Sequence, residues 1–152
     1  MDLILWRHAE AEMGEPDLQR ALTPKGQKQA RRMGEWLDAQ LPAGCKILVS
    51  PAVRTQQTAE ALGRKFKVVA QLAPGADPQE VLRAANWPNA KEPVLIVGHQ
   101  PTLGQVAALL VGGDDRDWEI KKASAWWIVQ REPQDPDSIY LKAVMAPDLI
   151  VK

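Results

Sequence analysis

Short apolar runs alternate with amphipathic segments along most of the chain. The runs are four or five residues long and show no regular alternation with polar residues, which is typical of strands covered on both faces of a parallel sheet. Between the runs, apolar residues recur at helical spacing, as at Ala30, Met33 and Leu37. The pattern therefore predicts strands and helices in alternation, with strands at residues 3–6, 46–49, 66–70 and 93–97.

Capping residues mark where the helices begin. Thr23 precedes Pro24, and Asp77 precedes Pro78, so each pair supplies an N-cap followed by a proline at the first helical position. Glu80 stands where a capping box places its acid. The four predicted helices run from about residue 24 to 41, 53 to 62, 78 to 88 and 103 to 111.

Two further strands are predicted near the end of the chain, at residues 123–130 and 139–145. The polar segment 131–138 between them is too short for a parallel crossover, so we expect the two strands to be antiparallel neighbours. The predicted fold class is α/β: a three-layer α/β/α sandwich with a mostly parallel central sheet and one antiparallel strand. We expect residues 1–152 to form a single domain.

Composition narrows the range of functions. Nineteen basic and nineteen acidic residues cancel, so no overall field favours nucleic acid or an anionic membrane as a partner. The basic residues Lys28, Arg31 and Arg32 are interpreted as a solvated face of the first helix. The single cysteine, Cys45, allows no intramolecular disulfide and favours a reducing compartment. With no signal peptide and no run of roughly 20 apolar residues, we expect a soluble, cytoplasmic protein.

Both histidines of the chain follow predicted strands. His8 ends the first strand beside Arg7, His99 ends the fourth, and Arg54 follows the second. Since open α/β sheets bind ligands at the carboxyl ends of their strands, we expect these four side chains to converge. Two guanidinium groups and two imidazoles without a matching acid motif indicate an anion, and phosphate suits their geometry. Two histidines and a distant Cys45 are an incomplete zinc set, so no metal is expected.

Four segments, in this order, resemble the histidine phosphatase superfamily, and within it the small SixA-like phosphohistidine phosphatases with a phosphoglycerate mutase-like fold. They are residues 5–11, 22–26, 50–59 and 97–101. Residues 123–129 also suit the late strand of the family. The Arg-His pair alone is a weak signal, whereas the four segments together are specific.

The resemblance implies a covalent mechanism. His8 would be the nucleophile that takes the phosphoryl group, while Arg7, Arg54 and a protonated His99 would bind the peripheral oxygens. The main-chain amide of Gln100 would add a further phosphate contact. Water would then hydrolyse the phosphoenzyme, so neither a metal nor an organic cofactor is expected.

The substrate class stays open at this point. Many superfamily members place an acid directly after the second histidine to protonate an alkoxide leaving group, but here that residue is Gln100. Glu10 and Glu12 are the candidate proton donors, and the alternative for both is a solvated loop carboxylate. Phosphohistidine on a protein partner needs less acid help, because a protonated imidazole leaves readily. The alternatives are a small phosphomonoester substrate and a module that binds phosphate without turnover.

Overall fold

The computed structural model describes residues 1–150 and shows a six-stranded sheet between two layers of helices. The strands are β1 (Asp2–Arg7), β2 (Lys46–Val49), β3 (Lys67–Val68), β4 (Val94–Gly98), β5 (Ala125–Gln130) and β6 (Ile139–Met145). The α-helices are α1 (Pro24–Gln40), α2 (Val53–Glu60), α3 (Pro78–Ala84) and α4 (Thr102–Ala107). Short 3₁₀ turns, among them Asp17–Gln19 in the loop between β1 and α1, complete the described elements.

The strand order is β3-β2-β4-β1-β5-β6. β1 pairs in parallel with β4, which pairs in parallel with β2, while β5 is antiparallel to both β1 and β6. Of the six strands described, β5 alone therefore runs against the others, which confirms the predicted mostly parallel sheet with one antiparallel strand. The registers place Arg7 beside Gly98 and Val49 beside Val97, so the residues that follow these three strands share one edge.

The core forms on both faces of the sheet because successive side chains of a strand point to opposite sides. In β1, Ile4 and Trp6 face the layer of α1 and α2, whereas Leu3 and Leu5 face the layer of α3 and α4, and all four are fully buried. Burial on both faces is what the apolar runs predict, and the three-layer arrangement is confirmed.

Element ends differ from the prediction in three places. β3 is reduced to two residues, because the chain turns at Ala70–Leu72 before the predicted strand is complete. α3 ends at Ala84, and Asn86 follows with a φ of 54°, a conformation that does not continue a helix. The predicted fourth helix is α4 followed by one π-helical turn, Ala108–Gly112.

Both predicted N-caps are present. The Thr23 hydroxyl accepts a hydrogen bond from the Gly26 N–H at 2.9 Å, and the Asp77 carboxylate accepts from the Gln79 N–H at 2.8 Å. A capping box requires the N-cap side chain to bond the third helical residue, here Glu80. Asp77 instead bonds the second helical residue, Gln79. Within residues 1–150, no helix combines the length and hydropathy needed to cross a bilayer.

Candidate active site

Three strand ends bring together the four side chains singled out from the sequence. Arg7 is the last residue of β1 and His8 follows it, Arg54 lies in the first turn of α2, and His99 follows β4. The rings of His8 and His99 lie 5.4 Å apart between centroids. Arg54 and Arg7 both act electrostatically on His8. We call His8, His99, Arg7 and Arg54 the cup.

His8 is held as a neutral imidazole with one nitrogen free. Its Nδ1 lies 2.7 Å from the main-chain oxygen of Ala9, an acceptor that requires a proton on Nδ1 and leaves the lone pair on Nε2. Burial lowers the pKa of His8 to about 4, and the positive charges of Arg54 and Arg7 also disfavour protonation. His8 therefore has the protonation state and the tautomer that a nitrogen nucleophile needs.

His99 is fixed through the opposite nitrogen. Its Nε2 lies 2.7 Å from the Ser50 hydroxyl, and the Ser50 oxygen also accepts from the Ala52 N–H at 3.3 Å. Since that oxygen already accepts a bond, we assign its proton to His99 Nε2, which leaves the ring proton on Nδ1. His99 Nδ1 is buried without a hydrogen-bond partner among residues 1–150.

His99 is neutral in the free protein. A protonated His99 with phosphate bound stays a prediction. Burial and, to a smaller extent, the neighbouring His8 and Arg54 together lower the pKa of His99 to about 3. In this state His99 offers an N–H donor and no positive charge. The sequence could not reveal this, because it shows neither the depth of burial nor the approach of the second imidazole.

The two arginines are anchored at their outer nitrogens. Arg54, whose side chain is 4% exposed, donates from Nη1 to the main-chain oxygen of Asp17 at 2.8 Å and from Nη2 to its carboxylate at 3.1 Å. Arg7 donates from Nη1 to the Ile120 oxygen at 2.9 Å. Burial lowers the pKa of Arg7, and the carboxylate of Glu119 opposes that shift. These bonds fix both guanidinium groups before any ligand arrives.

Unpaired buried nitrogens are concentrated in the cup. Among residues 1–150, four buried side-chain nitrogen or oxygen atoms have no hydrogen-bond partner, and three of them are Arg7 Nε, Arg54 Nε and His99 Nδ1. Buried donors without partners are rare in proteins and raise the free energy of the folded state. An oxyanion with several acceptor oxygens would satisfy all three, so the cup fits a phosphoryl group.

The loop between β1 and α1 contributes two site residues that sequence reasoning missed. Asp17 bonds Arg54 as described, and its carboxylate also accepts from Arg20 Nε at 3.1 Å. Arg20 is one of the cations that lower the pKa values of both histidines. Nothing in the pattern distinguishes these two residues within a loop rich in acids, since an irregular segment has no periodicity to place its side chains.

Thr58 links the nucleophile to the helix that carries Arg54. Its hydroxyl accepts from the Ala9 N–H at 3.0 Å and donates to the Arg54 main-chain oxygen at 2.8 Å. The first residue after His8 and the first turn of α2 are thereby tied to one side chain.

Gln100 uses its side chain for structure. The amide nitrogen donates to the Trp118 oxygen at 2.9 Å, and the amide oxygen accepts from the Gly104 N–H at 2.7 Å. At the start of α4, the N–H groups of Gly104 and Leu103 are already bonded, to the Gln100 side chain and to the main-chain oxygen of His99. Phosphate contact by Gln100 stays a prediction, and only its main-chain amide is available for it.

The two candidate proton donors are placed differently. The Glu10 carboxylate accepts from the Thr23 hydroxyl at 2.8 Å, and this ties it to the start of α1. Glu12 is exposed, and its main-chain oxygen accepts from Arg20. Proton donation by either residue stays a prediction.

Cys45 lies apart from the cup. Cys45 immediately precedes β2, whereas Ser50 follows β2 at its other end. Burial raises the pKa of its thiol to about 11, so it is not an activated nucleophile. Among residues 1–150, no three His, Cys, Asp or Glu side chains are grouped so as to hold a metal ion.

Comparisons with known proteins identify the family. The family described as the histidine phosphatase superfamily (branch 1) matches residues 3–77. The phosphohistidine phosphatase SixA homolog of Haemophilus influenzae is 34% identical over 129 residues, covering 74% of this chain and 78% of that protein. The chain belongs to the histidine phosphatase superfamily. The phosphohistidine phosphatase SixA of Escherichia coli K12 is 31% identical over 124 residues, covering 75% and 76% of the two chains.

Two solved phosphatase structures share the fold. The protein histidine phosphatase SixA complexed with tungstate superimposes with a TM-score of 0.77 at 24% identity, over 99% of this chain and 100% of that one. A phosphoserine phosphatase from Entamoeba histolytica in complex with phosphoserine has a TM-score of 0.72 at 14% identity, over 99% of each chain. The phosphoglycerate mutase-like fold and the SixA-like resemblance are confirmed, and the chain is a phosphatase of this superfamily.

Proposed function

We propose that this phosphatase hydrolyses phosphohistidine on protein substrates through a phosphorylated His8. The observation that carries the proposal is the neutral His8, whose Nδ1 proton is held by the Ala9 oxygen at 2.7 Å. The unpaired Arg7 Nε, Arg54 Nε and His99 Nδ1 lie in the same cup. A fixed nucleophile beside a fixed set of donors is what phosphoryl transfer requires of a protein.

The reaction proceeds in two displacements. In the first, the His8 Nε2 lone pair forms a bond to phosphorus while the phosphorus–nitrogen bond of the substrate breaks. The substrate ring, already protonated on its other nitrogen, keeps the electron pair of that bond and leaves as neutral imidazole. In the second, water attacks phosphorus, and the bond to His8 breaks with its electron pair returning to Nε2. Inorganic phosphate leaves with both protons of the water. Arg7, Arg54 and His99 bind the peripheral oxygens, over which the negative charge is spread in each transition state.

The placement of the acids favours phosphohistidine over phosphate esters. The pKa of Asp17 lies below its usual range, and the hydrogen bond from Arg54 is the largest cause. This carboxylate is therefore a poor proton donor. The Glu10 carboxylate accepts a hydrogen bond from Thr23, and the residue after His99 is Gln100, whose amide is not an acid. An alkoxide leaving group needs a strong acid, whereas an imidazole does not. The relatives named phosphohistidine phosphatase SixA support the same substrate class.

A small phosphomonoester is the second candidate substrate. The donors of the cup suit a phosphoryl group, which both substrate classes share. The phosphoserine phosphatase with this fold acts on such an ester. A module that binds phosphate without turnover is the third reading. The neutral His8 argues against it, since binding alone needs no free nucleophilic nitrogen.

A side-by-side assay separates the candidates. Wild type and His8→Ala are incubated with a histidine-phosphorylated protein and with a panel of phosphomonoesters, without added metal. We expect wild type to prefer the phosphohistidine protein and His8→Ala to be inactive on both. Brief incubation with ³²P-labelled substrate should give wild type an acid-labile, alkali-stable label that His8→Ala lacks. Preference for the esters would favour the second candidate.

Variants of the arginines test the phosphate contacts. Arg7→Ala or Arg54→Ala should reduce kcat about 10²–10³-fold, the loss typical of one fixed oxyanion donor. Arg31→Ala, an exposed position on α1, is the matched control and should retain wild-type activity. Full activity in Arg7→Ala or Arg54→Ala would contradict the assigned roles.

A further inference from the structure

A groove of about 770 Å³ lies beside the cup, between α1 and the segment that precedes β5. Residues 146–148 also line it, after β6. Six cationic side chains border this groove, against two acidic ones, Glu119 and Asp148. We call it the basic groove, and its cations are Arg7, Lys25, Lys28, Arg32, Lys121 and Lys122.

The cations come from two distant parts of the chain. Lys25, Lys28 and Arg32 are spaced three and four residues apart on α1, so they lie along one face of the helix for about 10 Å. Lys121 and Lys122 belong to the opposite wall. The interpretation of Lys28 and Arg32 as a solvated face of α1 is incomplete, because the structure places a second basic segment, Lys121 and Lys122, across the groove from them.

The charge of the basic groove is poorly compensated. The chain as a whole has a formal net charge of zero, yet this groove has three times as many cations as acids. Among the ion pairs shown within residues 1–150, one involves a groove cation: Lys121 with Glu119, at 3.0 Å and with both side chains largely exposed. Such a pair is weak, so a positive potential is concentrated here.

The basic groove adjoins the cup at Arg7, and hydrogen bonds hold its α1 wall in place. Arg7 belongs to both, since its Nε is one of the unpaired nitrogens of the cup while the residue lines the groove. The main-chain oxygen of Glu10 accepts from the Thr23 N–H at 3.1 Å, and the side-chain oxygen of Gln29 accepts from the Glu10 N–H at 3.0 Å. These bonds hold the start of α1 against the segment that follows His8.

We propose that the basic groove docks the acidic face of a phosphoprotein whose phosphohistidine enters the cup. This inference rests on the proposed function and adds the surface chemistry of the partner. The groove extends farther than one phosphoryl group, and its lysines and Arg32 are exposed, flexible side chains. Dispersed carboxylates on a protein surface match that arrangement, because complementary charge steers encounter and orients the partner.

The test compares a protein substrate with a small one. kcat/KM is measured for a histidine-phosphorylated protein whose phosphohistidine is surrounded by Asp and Glu, and for free phosphohistidine. The groove variants are Lys25→Glu/Lys28→Glu and Lys121→Glu/Lys122→Glu. The control with equal charge change is Arg31→Glu/Lys91→Glu, at two exposed positions outside the groove.

Each groove variant should lose on the order of 10-fold or more in kcat/KM on the protein, through KM, and change less than about 2-fold on free phosphohistidine. High salt should narrow the difference between variant and wild type. The control should behave as wild type on both substrates.

Three results would overturn the docking surface alone, and a fourth would refute it together with the proposed function. Equal losses on both substrates would show that the groove acts on the phosphoryl group itself. Losses that persist after the acids of the substrate protein are changed to Asn and Gln would show that no acidic face is recognised. Groove variants that match the control on the protein would refute docking while leaving the proposed function intact. A wild-type enzyme inactive on both phosphohistidine substrates would refute the proposed function, and docking with it.

Discussion

The Ser50 hydroxyl lies 2.7 Å from His99 Nε2, and both residues are buried. They follow neighbouring parallel strands, β2 and β4, whose register brings the two strand ends side by side. The bond selects the ring nitrogen of His99 that faces Ser50 and so determines which nitrogen remains for a ligand. Ser50 therefore orients a member of the cup.

Ser50→Ala should lower kcat/KM without unfolding the protein. The substitution leaves His99 Nε2 buried without a partner, a change that typically costs about 1–3 kcal/mol, and the ring can then place its proton on either nitrogen. We expect a loss of roughly 10- to 100-fold, and a changed His99 tautomer by ¹⁵N NMR. Thr55→Val is the control, since Thr55 is buried and its hydroxyl bonds the main-chain oxygens of Ser50 and Ala52 without contacting His99. An unchanged tautomer in Ser50→Ala would contradict the role.

The protonation midpoint of His8 should lie well below that of a free imidazole. Burial lowers the pKa of His8 to about 4, so the nucleophile stays neutral from neutral pH down to about pH 5. NMR titration of the His8 ring in the free protein should give a midpoint near this value, and kcat/KM should show no acid limb near pH 6.5. A midpoint close to 6.5 would mean that His8 is solvated, which would contradict the site geometry.

Stability should fall on acidification through the same groups. The pKa values of His8 and His99 are about 4 and about 3 in the folded protein, and about 6.5 in an unfolded chain. Between those values the unfolded state binds more protons than the folded state, by up to about two. The free energy of unfolding therefore rises with pH and levels off above pH 6.5. Urea unfolding from pH 4.5 to 7.5 measures this. His99→Gln should reduce the slope, and an unchanged slope would exclude His99 as a source.

Asp17→Asn should strengthen inhibition by inorganic phosphate. The amide still accepts a hydrogen bond from Arg54, but the negative charge beside the cup is removed. Because Asp17 is exposed, its repulsion is screened, and we expect Ki to fall only a few-fold at low salt. Asp38→Asn, which neutralises an exposed carboxylate paired with Arg64, should leave Ki unchanged. A rise in Ki would instead show that the carboxylate serves to orient Arg54.

The framework of the site could be predicted because it depends on local pattern. Apolar runs without alternation indicate the parallel strands, and chemistry-bearing residues at the ends of those strands, His8 and His99, must share an edge of the sheet. The caps at Thr23 and Asp77 depend on the next few residues and were equally visible.

The contacts that tune the site could not be predicted because they join residues distant in the sequence. Ser50 and His99 are 49 positions apart, and Asp17 and Arg54 are 37 apart. The neutral state of His99 depends on burial by the whole fold. The basic groove needs both α1 and the segment before β5 to be in place, so no local pattern marks it.

Gly26→Ala should destabilise the protein and impair the site together. A Cβ at Gly26 would overlap the main-chain carbonyl of Glu10, and backbone cannot yield as a flexible side chain does. Alanine favours a helix by about 1 kcal/mol over glycine, yet we expect a net loss of about 1–3 kcal/mol in the free energy of unfolding, because overpacking moves α1 from the loop that carries Asp17. Urea unfolding and kcat/KM measure the two effects. Gln27→Ala, at the exposed next position, should change neither. A Gly26→Ala protein as stable and active as wild type would show that α1 and the loop after His8 are not rigidly joined.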